Sequence, residues 1–298
     1  MKILVTGGTV FVSRYTAKYF AERGNEVYVL NRGSKPQEKG VNLIQADRHS
    51  LDGELKSHGF DVVLDITAYN ENDVKDLMEQ LGDFGTYIFL SSSAVYPEAA
   101  PQPFKESQPT GKNKIWGDYG TNKIAAEKYL IKNIPNVYII RPPYLYGEMN
   151  NLYREAFVFD CAEQGREFCL PGEGEMPLQF FDVEDLCRFM ELVAANHPKE
   201  HIFNAGNPQS ISIRDWVKAC YEILGKSPIF KPVNKAIPQR SYFPFYDYSY
   251  TLDVTKQSIL MPDIKPMEKA LEQSYSWYKS HREQVVKKPL LKFIDENM

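Results

Sequence analysis

Six short apolar runs alternate with helical patterns through the first half of the chain. "KILVT", "EVYVLN", "VNLIQA", "DVVLDI", "TYIFLSS" and "VYIIRP" are almost continuously apolar rather than alternating. That pattern suits strands covered on both faces, as in a parallel sheet. After the first run, Val12, Tyr15, Tyr19 and Phe20 fall at i, i+3, i+7 and i+8, and Gly24 closes the pattern. Val74, Leu77, Met78 and Leu81 repeat it at i, i+3, i+4 and i+7, which predicts a second amphipathic helix. Strands and helices in this order, joined by right-handed crossovers, predict an α/β fold built on a doubly wound parallel sheet.

The second half is less regular. Leu186, Phe189, Met190 and Val193 mark one helix, and Val217, Cys220, Tyr221 and Leu224 another that stops at Gly225. Ser212 with Asp215 three residues later resembles a capping box for the latter. Residues 228–266, rich in proline and aromatics, read as irregular loops with short strands, and the residues from about Lys287 as a loosely held tail. A length of 298 residues accommodates two lobes. The expected division is a dinucleotide-binding domain over 1–147, with a returning segment at about 181–206, and a smaller C-terminal α/β lobe for substrate over 148–298.

Composition narrows the class. A hydrophobic content of 43% and a charged content of 25% are those of an ordinary soluble protein. The net charge of −4 provides no general attraction to nucleic acid or anionic membranes. No apolar run approaches the roughly 20 residues of a membrane span, and "KILV" leads straight into Gly7 and Gly8 rather than into a signal peptide. Cys161, Cys169, Cys187 and Cys220 show no paired spacing and read as reduced core or pocket residues. A cytoplasmic location is expected.

"TGGTVFVS" joins the first strand to the first helix, and such a turn aims backbone N–H groups and the helix dipole at an anion. Gly7 and Gly8 supply the tight turn and the close backbone approach of a Rossmann-type site. Val10 and Ser13 stand where further glycines would be expected, but backbone donors do not depend on side-chain identity. The second strand ends in "LNRG". Asn31 replaces an acid that would bond the ribose hydroxyls, and Arg32 can pair with a 2′-phosphate, which tilts NAD(P) towards NADP. A solvated loop charge is the other reading of Arg32. Asp47 and Arg48 would flank the adenine or form a loop ion pair.

"YGTNK" places Tyr119 and Lys123 four residues apart, on one face of a helix. A phenol titrates near 10, so general-base work at neutral pH requires a lower value. A drop of roughly three units needs about 4 kcal/mol, within reach of an adjacent ammonium and a positive nicotinamide ring in a partly dry pocket. An exposed helix pair is the plainer reading of the motif alone. "IFLSSSAVYP" ends an apolar strand in three serines, at the sheet edge where α/β ligands bind. A hydroxyl there can hold a substrate oxygen, or merely start a turn. The three elements in this order are far more specific than any one of them.

Together with "FDVVLDITA", "FKESQP", "IIRPPYLYG" and "FFDVEDL", they resemble the extended short-chain dehydrogenase/reductase family, the NAD(P)-dependent epimerase/dehydratase group, over roughly residues 2 to 280. The resemblance implies a catalytic set of Ser92, Tyr119 and Lys123. The cofactor contacts expected with it are Gly7, Gly8, Thr9, Phe11 and Val12 at the turn, Asn31, Arg32, Asp47 and Arg48 after the next two strands, Thr67 and Ala68 after the fourth, and again Tyr119 and Lys123. It also implies a homodimer through the helix carrying Tyr119. The family's dehydratases carry an Asp-Glu pair just after the Ser; Ser93 and Ala94 stand there, which disfavours a dehydratase. "DRHSLDGELKSHGFDVVLDITAY" and "FPFYDYSYTLDVTKQ" resemble a narrower branch that includes the chloroplast stem-loop-binding proteins. In that branch the glycine turn also carries a bulky residue near Val10, and the plant members generally lack the tyrosine kept here as Tyr119.

Hydride transfer at an alcohol carbon of a sugar or nucleotide-sugar-like substrate is therefore the first reading, with epimerase and net reductase both open. An RNA-binding or regulatory protein that uses the dinucleotide fold without turnover is the second. The acidic balance and the Tyr119–Lys123 pair weigh against it, and the likeness to the stem-loop-binding proteins weighs for it. Nucleotide-sugar epimerases usually place an arginine before "F-x-x-V-x-D-L", where Leu178 stands here. Arg141, Arg154, Arg166 and Arg240 are the candidates to replace it, Arg141 more as a support for the strand-to-cap turn. "RSYFPFYDYSY" reads as packing first and pocket wall second, and "GKNKIWGDYG" as a mobile lid or a static loop. His197 and His201 share helical spacing, but Pro198 between them argues against a metal-binding helix.

Overall fold

The computed structural model describes residues 1–233 and 236–298. Six strands form where the apolar runs predict them: β1 (Lys2–Thr6), β2 (Glu26–Asn31), β3 (Val41–Gln45), β4 (Phe60–Asp65), β5 (Phe84–Leu90) and β6 (Val137–Arg141). Ile202–Asn204, which carried no strand expectation of its own, completes the same sheet. Short strands come between it and β6. β7 (Tyr144–Tyr146) pairs with β10 (Phe180–Asp182), β8 (Phe168–Pro171) with β13 (Phe230–Val233), and β9 (Pro177–Leu178) with β12 (Ile211–Ser212), so Ile202–Asn204 is β11. The seven-stranded sheet runs β11-β6-β5-β4-β1-β2-β3 with every pairing parallel. The order reverses at β1, and the C-terminal edge beside that reversal is where an open α/β sheet leaves a ligand crevice.

Helices α1 (Phe11–Glu22), α2 (Glu71–Gln80), α3 (Asp118–Asn133), α4 (Glu155–Gln164), α5 (Val183–Asn196) and α6 (Ile213–Glu222) precede α7 (Thr255–Leu260), α8 (Met267–Ser280) and α9 (Leu290–Asn297). Two apolar layers cover the sheet. One gathers Leu4, Val63 and Phe89 with Leu77 of α2 and Leu130 of α3; the other gathers Ile3, Val5 and Leu64 with Phe20 of α1 and Phe189 of α5. Coverage on both faces explains why the strands read as unbroken apolar runs. The reciprocal capping box lies at Asn70 and Asp73 of α2. At α6, Ser212 caps the Asp215 N–H, but the Asp215 carboxylate takes the Ser212 hydroxyl instead of returning to the backbone.

The chain end is held rather than loose. Val286 N–H donates to Asn151 O at 2.9 Å, Lys287 Nζ reaches the buried Asp160 carboxylate at 2.7 Å, and Leu290 and Ile294 of α9 are buried. Asp160 also accepts from the Tyr153 and Tyr278 hydroxyls. This buried acceptor, far from Lys287 in sequence, anchors a segment whose own composition gives no sign of it. Among the described residues no helix is long and apolar enough to cross a membrane. All four cysteines are free and buried, and burial raises their thiols above the ordinary value.

Candidate functional site

Gly7 and Gly8 both hold φ at +92°, a conformation that L side chains rarely adopt. A Cβ on Gly7 would stand 2.7 Å from both Ser13 Oγ and Thr67 Cγ2, and one on Gly8 would stand 2.5 Å from Val29 Cγ1. The bare Gly7 thus makes room for the serine, whose hydroxyl donates back to Val10 O at 3.0 Å. Val10 is the N-cap of α1 in extended geometry, with no side-chain cap and no acid in the first turn. The α1 N–H groups are therefore left to an anion. Phe11, buried with φ +33°, opens the helix in strained geometry. Gly8→Ala is expected to destabilise the fold by about 1–3 kcal/mol and to lose dinucleotide binding, read as a lower Tm and as flat nicotinamide fluorescence on titration.

Asp65, fully buried at the end of β4, ties the sheet edge together. It accepts from Thr6 Oγ1, Tyr87 OH and Arg48 Nη2, each at 2.7 Å. Thr6 Oγ1 in turn accepts from the N–H groups of Ile66 and Thr67, which fixes the loop after β4. Arg48 thus has an ion pair, with Asp65 rather than with Asp47, while its Nη1 is buried without a partner. Asp47 is exposed and accepts from the His49 N–H in its own turn. Asn31 is also committed within the protein: Nδ2 donates to Gly7 O at 2.7 Å and Oδ1 accepts from Gly33 N at 2.8 Å. Arg32 is exposed and has no carboxylate partner among the described residues.

A cleft of about 610 Å³ opens at the C-terminal edge of β1, β4 and β5. Phe11, Val12, Thr67, Ser92, Tyr119 and Lys123 all line it, so the structure brings the turn, the strand-end serine and the Tyr-Lys helix face together. Lys123 is 2% exposed, and its ammonium donates to Ala68 O and Leu90 O, both at 2.7 Å. Those bonds leave one of its three protons for a ligand. Burial lowers Lys123 to about 8, against the pull of Asp65 and Glu127. Ser91 and Ser93 line the cleft as well, but their hydroxyls are engaged within the protein: Ser91 Oγ donates to Glu127 at 2.5 Å, and Ser93 hydrogen bonds with Tyr250.

Tyr119 keeps 39% of its surface exposed at the mouth of the cleft, while its hydroxyl end sits among protein atoms. Burial raises the phenol above its ordinary value; the hydrogen bond to Ser92 and the Arg154 charge pull the other way. The downward shift expected from Lys123 is not seen at this phenol, and the Lys123 ammonium is bound to two backbone carbonyls.

Tyr69, Trp116, Tyr144, Arg154, Tyr246 and Tyr250 form the remaining wall. Trp116 meets Tyr144, Tyr246, Tyr248 and Tyr250 edge-on. Its loop is pinned by buried Asn113, which donates to Tyr96 O and Tyr248 OH. In "RSYFPFYDYSY" both readings hold, since Phe243 and Phe245 are core residues while Tyr246 and Tyr250 face the cleft. Tyr69 carried no sequence expectation; its ring lies 5.3 Å from Lys123 Nζ and 6.2 Å from the Tyr119 ring. The one signal for it was its place just after a strand at the ligand edge. Arg141 and Arg166 are paired with Glu127 and Asp295, away from the cleft. His197 meets Thr86, and His201 stacks on Tyr138.

A model of the NAD dependent epimerase/dehydratase family matches residues 3–206. Chloroplast stem-loop binding protein of 41 kDa b from Arabidopsis thaliana is 26% identical over 281 residues, 86% of this chain and 72% of its own. A UDP-glucose 4-epimerase from Halalkalibacterium halodurans is 25% identical over 334 residues, 94% of this chain and 96% of its own. Among solved structures, UDP-glucuronic acid 4-epimerase from Bacillus cereus in complex with UDP-glucuronic acid and NAD superposes with a TM-score of 0.72 at 19% identity, over 94% of this chain and 99% of that one. That likeness is one of fold.

Proposed function

The chain belongs to the NAD dependent epimerase/dehydratase family, and from that premise we propose that it is an NAD(P)-dependent epimerase or oxidoreductase acting at an alcohol carbon of a sugar or nucleotide-sugar-like substrate. One observation carries this reading: Ser92, Tyr119 and Lys123 converge on a single cleft whose floor is the uncapped N-terminus of α1. Relatives named as UDP-glucose 4-epimerase support the reaction class.

The residues present fit a dinucleotide. The bare glycine turn and open α1 amides would take its pyrophosphate, and the spare Lys123 proton a ribose hydroxyl. When bound, the nicotinamide accepts or returns a hydride. The protein's part is proton handling. Ser92 orients the substrate oxygen and is hydrogen-bonded to the Tyr119 phenol, which gives or takes the proton of that oxygen. Arg154 favours the phenolate form when the proton is removed.

NADP is the preferred form on this reading, because Arg32 is an exposed cation and Asn31 offers no acid to a 2′-hydroxyl. Thermal titration with NADPH, NADH and a panel of nucleotide sugars tests cofactor and substrate class together. A ligand at a hundred times its Kd stabilises by about 2.7 kcal/mol. Arg32→Gln should weaken NADPH binding about tenfold, the loss of one charge-assisted contact, and leave NADH unchanged. Absence of stabilisation by both dinucleotides would overturn the enzymatic reading.

A further inference from the structure

The segment after α8 touches two separate parts of the cleft structure. Arg14, which follows the cleft-lining Ser13 on α1, donates from Nη1 to Gln284 Oε1 at 2.9 Å. Two residues on, Val286 N–H donates to Asn151 O at 2.9 Å, and Val286 forms a parallel bridge with Leu152. Asn151 and Leu152 line the same cleft as Ser13. Firm anchors stand on either side of these contacts. Arg282 forks onto Glu163, with Nη1 at 2.7 Å and Nη2 at 2.5 Å, and Lys287 Nζ reaches the buried Asp160 carboxylate at 2.7 Å. The span from Gln284 to Val286 is therefore pinned at both ends while it crosses from α1 to the segment between β7 and α4.

The contacts within the span are weaker than its anchors. Val286 is 66% exposed and Leu152 40% exposed, so little apolar area holds the two together. The segment they support is one that needs support. Met149 holds φ at +67°, a strained geometry for a residue with a side chain, which persists where the surroundings fix it. From within the protein, buried Glu155 accepts from Gly147 N–H at 3.2 Å and from Asn150 Nδ2 at 2.9 Å, and Asn150 Oδ1 accepts from Leu152 N–H at 3.0 Å. Glu148 pairs at 2.8 Å with Lys18, four residues after Arg14 and so on the same face of α1. Residues 147–152 are thus tied to Glu155, to α1 and to the C-terminal span at once.

We propose that Gln284 and Lys287 are positioning residues for dinucleotide binding: the span they hold braces residues 151–152 against the first turns of α1 and so sets the width of the cleft. The proposal rests on the reading of this cleft as a dinucleotide site. Neither side chain lines the cleft. Each acts through what it holds, Gln284 through Arg14, and Lys287 through the Val286 contacts to Asn151 and Leu152. A supporting shell of this kind matters because a site that is about 1 Å too loose loses much of its grip on a ligand. Both residues lie outside residues 3–206, which the family match covers.

The test pairs stopped-flow displacement of bound NADPH and NADH with hydrogen exchange, both on the full chain. It uses the wild type, Lys287→Met, Lys287→Arg and Gln284→Ala, with Val217→Ala in the buried face of α6, away from the cleft, as a stability control. Lys287→Met should raise the dinucleotide dissociation rate about tenfold and Gln284→Ala about threefold, the difference between losing a charged and a neutral tie. Both should speed amide exchange over residues 147–152. Lys287→Arg should keep both readouts at the wild-type values, and Val217→Ala should lower the Tm and move neither. An unmoved dissociation rate in Lys287→Met overturns the brace, whatever the exchange shows. A rise that Val217→Ala matches at an equal loss of Tm overturns it as well, since Lys287 would then serve stability alone. A wild type that binds neither dinucleotide overturns the reading of the cleft and the brace with it, whereas normal binding at a rate indifferent to Lys287 overturns the brace only.

Discussion

Replacing Tyr119 by Phe should lower turnover by about 10²–10⁴-fold while leaving dinucleotide affinity within a factor of two or so of the wild type. The variant removes only the hydroxyl that meets Ser92. The ring remains at the cleft mouth, 6.2 Å from Tyr69, where it is 39% exposed and carries little of the fold's stability. Lys123→Met provides the contrast. It would leave the Ala68 and Leu90 carbonyls, each now accepting at 2.7 Å, without a donor in a buried place. That variant should lose stability and dinucleotide affinity together, whereas Tyr119→Phe should lose kcat alone. Single-turnover hydride transfer and fluorescence titration on both variants separate the roles. Near-normal turnover in Tyr119→Phe would remove the phenol from the chemistry.

How much of this was legible in the sequence depends on how local each feature is. Strands buried on both faces leave continuous apolar runs, so the six strands from Lys2 to Arg141 could be read with bounds close to those found. Ile202–Asn204 joins the same sheet with three residues, too few to carry a period. Tyr119 and Lys123 show as a pair because a helix turns their spacing into adjacency, and Ser92 shows because an apolar strand stops there. The partners of Arg48, Asn31 and Lys287 are set by tertiary approach. Asp65 could receive Arg48 only once β3 and β4 lay on either side of β1 and β2.

Arg141 deserves its own variant because it holds the site together without touching the cleft. It forks onto Glu127, with Nε at 2.9 Å and Nη2 at 2.6 Å, and gives its Nη1 to Tyr96 OH at 2.9 Å, all buried. Glu127 stands one turn after Lys123 on α3 and also accepts the Ser91 hydroxyl, next to Ser92. The pair therefore joins β6, α3 and the serine turn at the point where Ser92, Tyr119 and Lys123 must agree in position. Arg141→Met leaves the Glu127 charge buried and unpaired, and should cost about 3–5 kcal/mol of stability in a denaturant titration. Glu127→Leu with Arg141→Met removes both charges and should recover most of that loss, since desolvating the native pair offsets much of its attraction. The recovered fold should still turn over slowly, because Ser91 then lacks its acceptor and the serine turn its anchor to α3. Stability and turnover restored together in the double variant would mean that the pair balances charge and does not position the site.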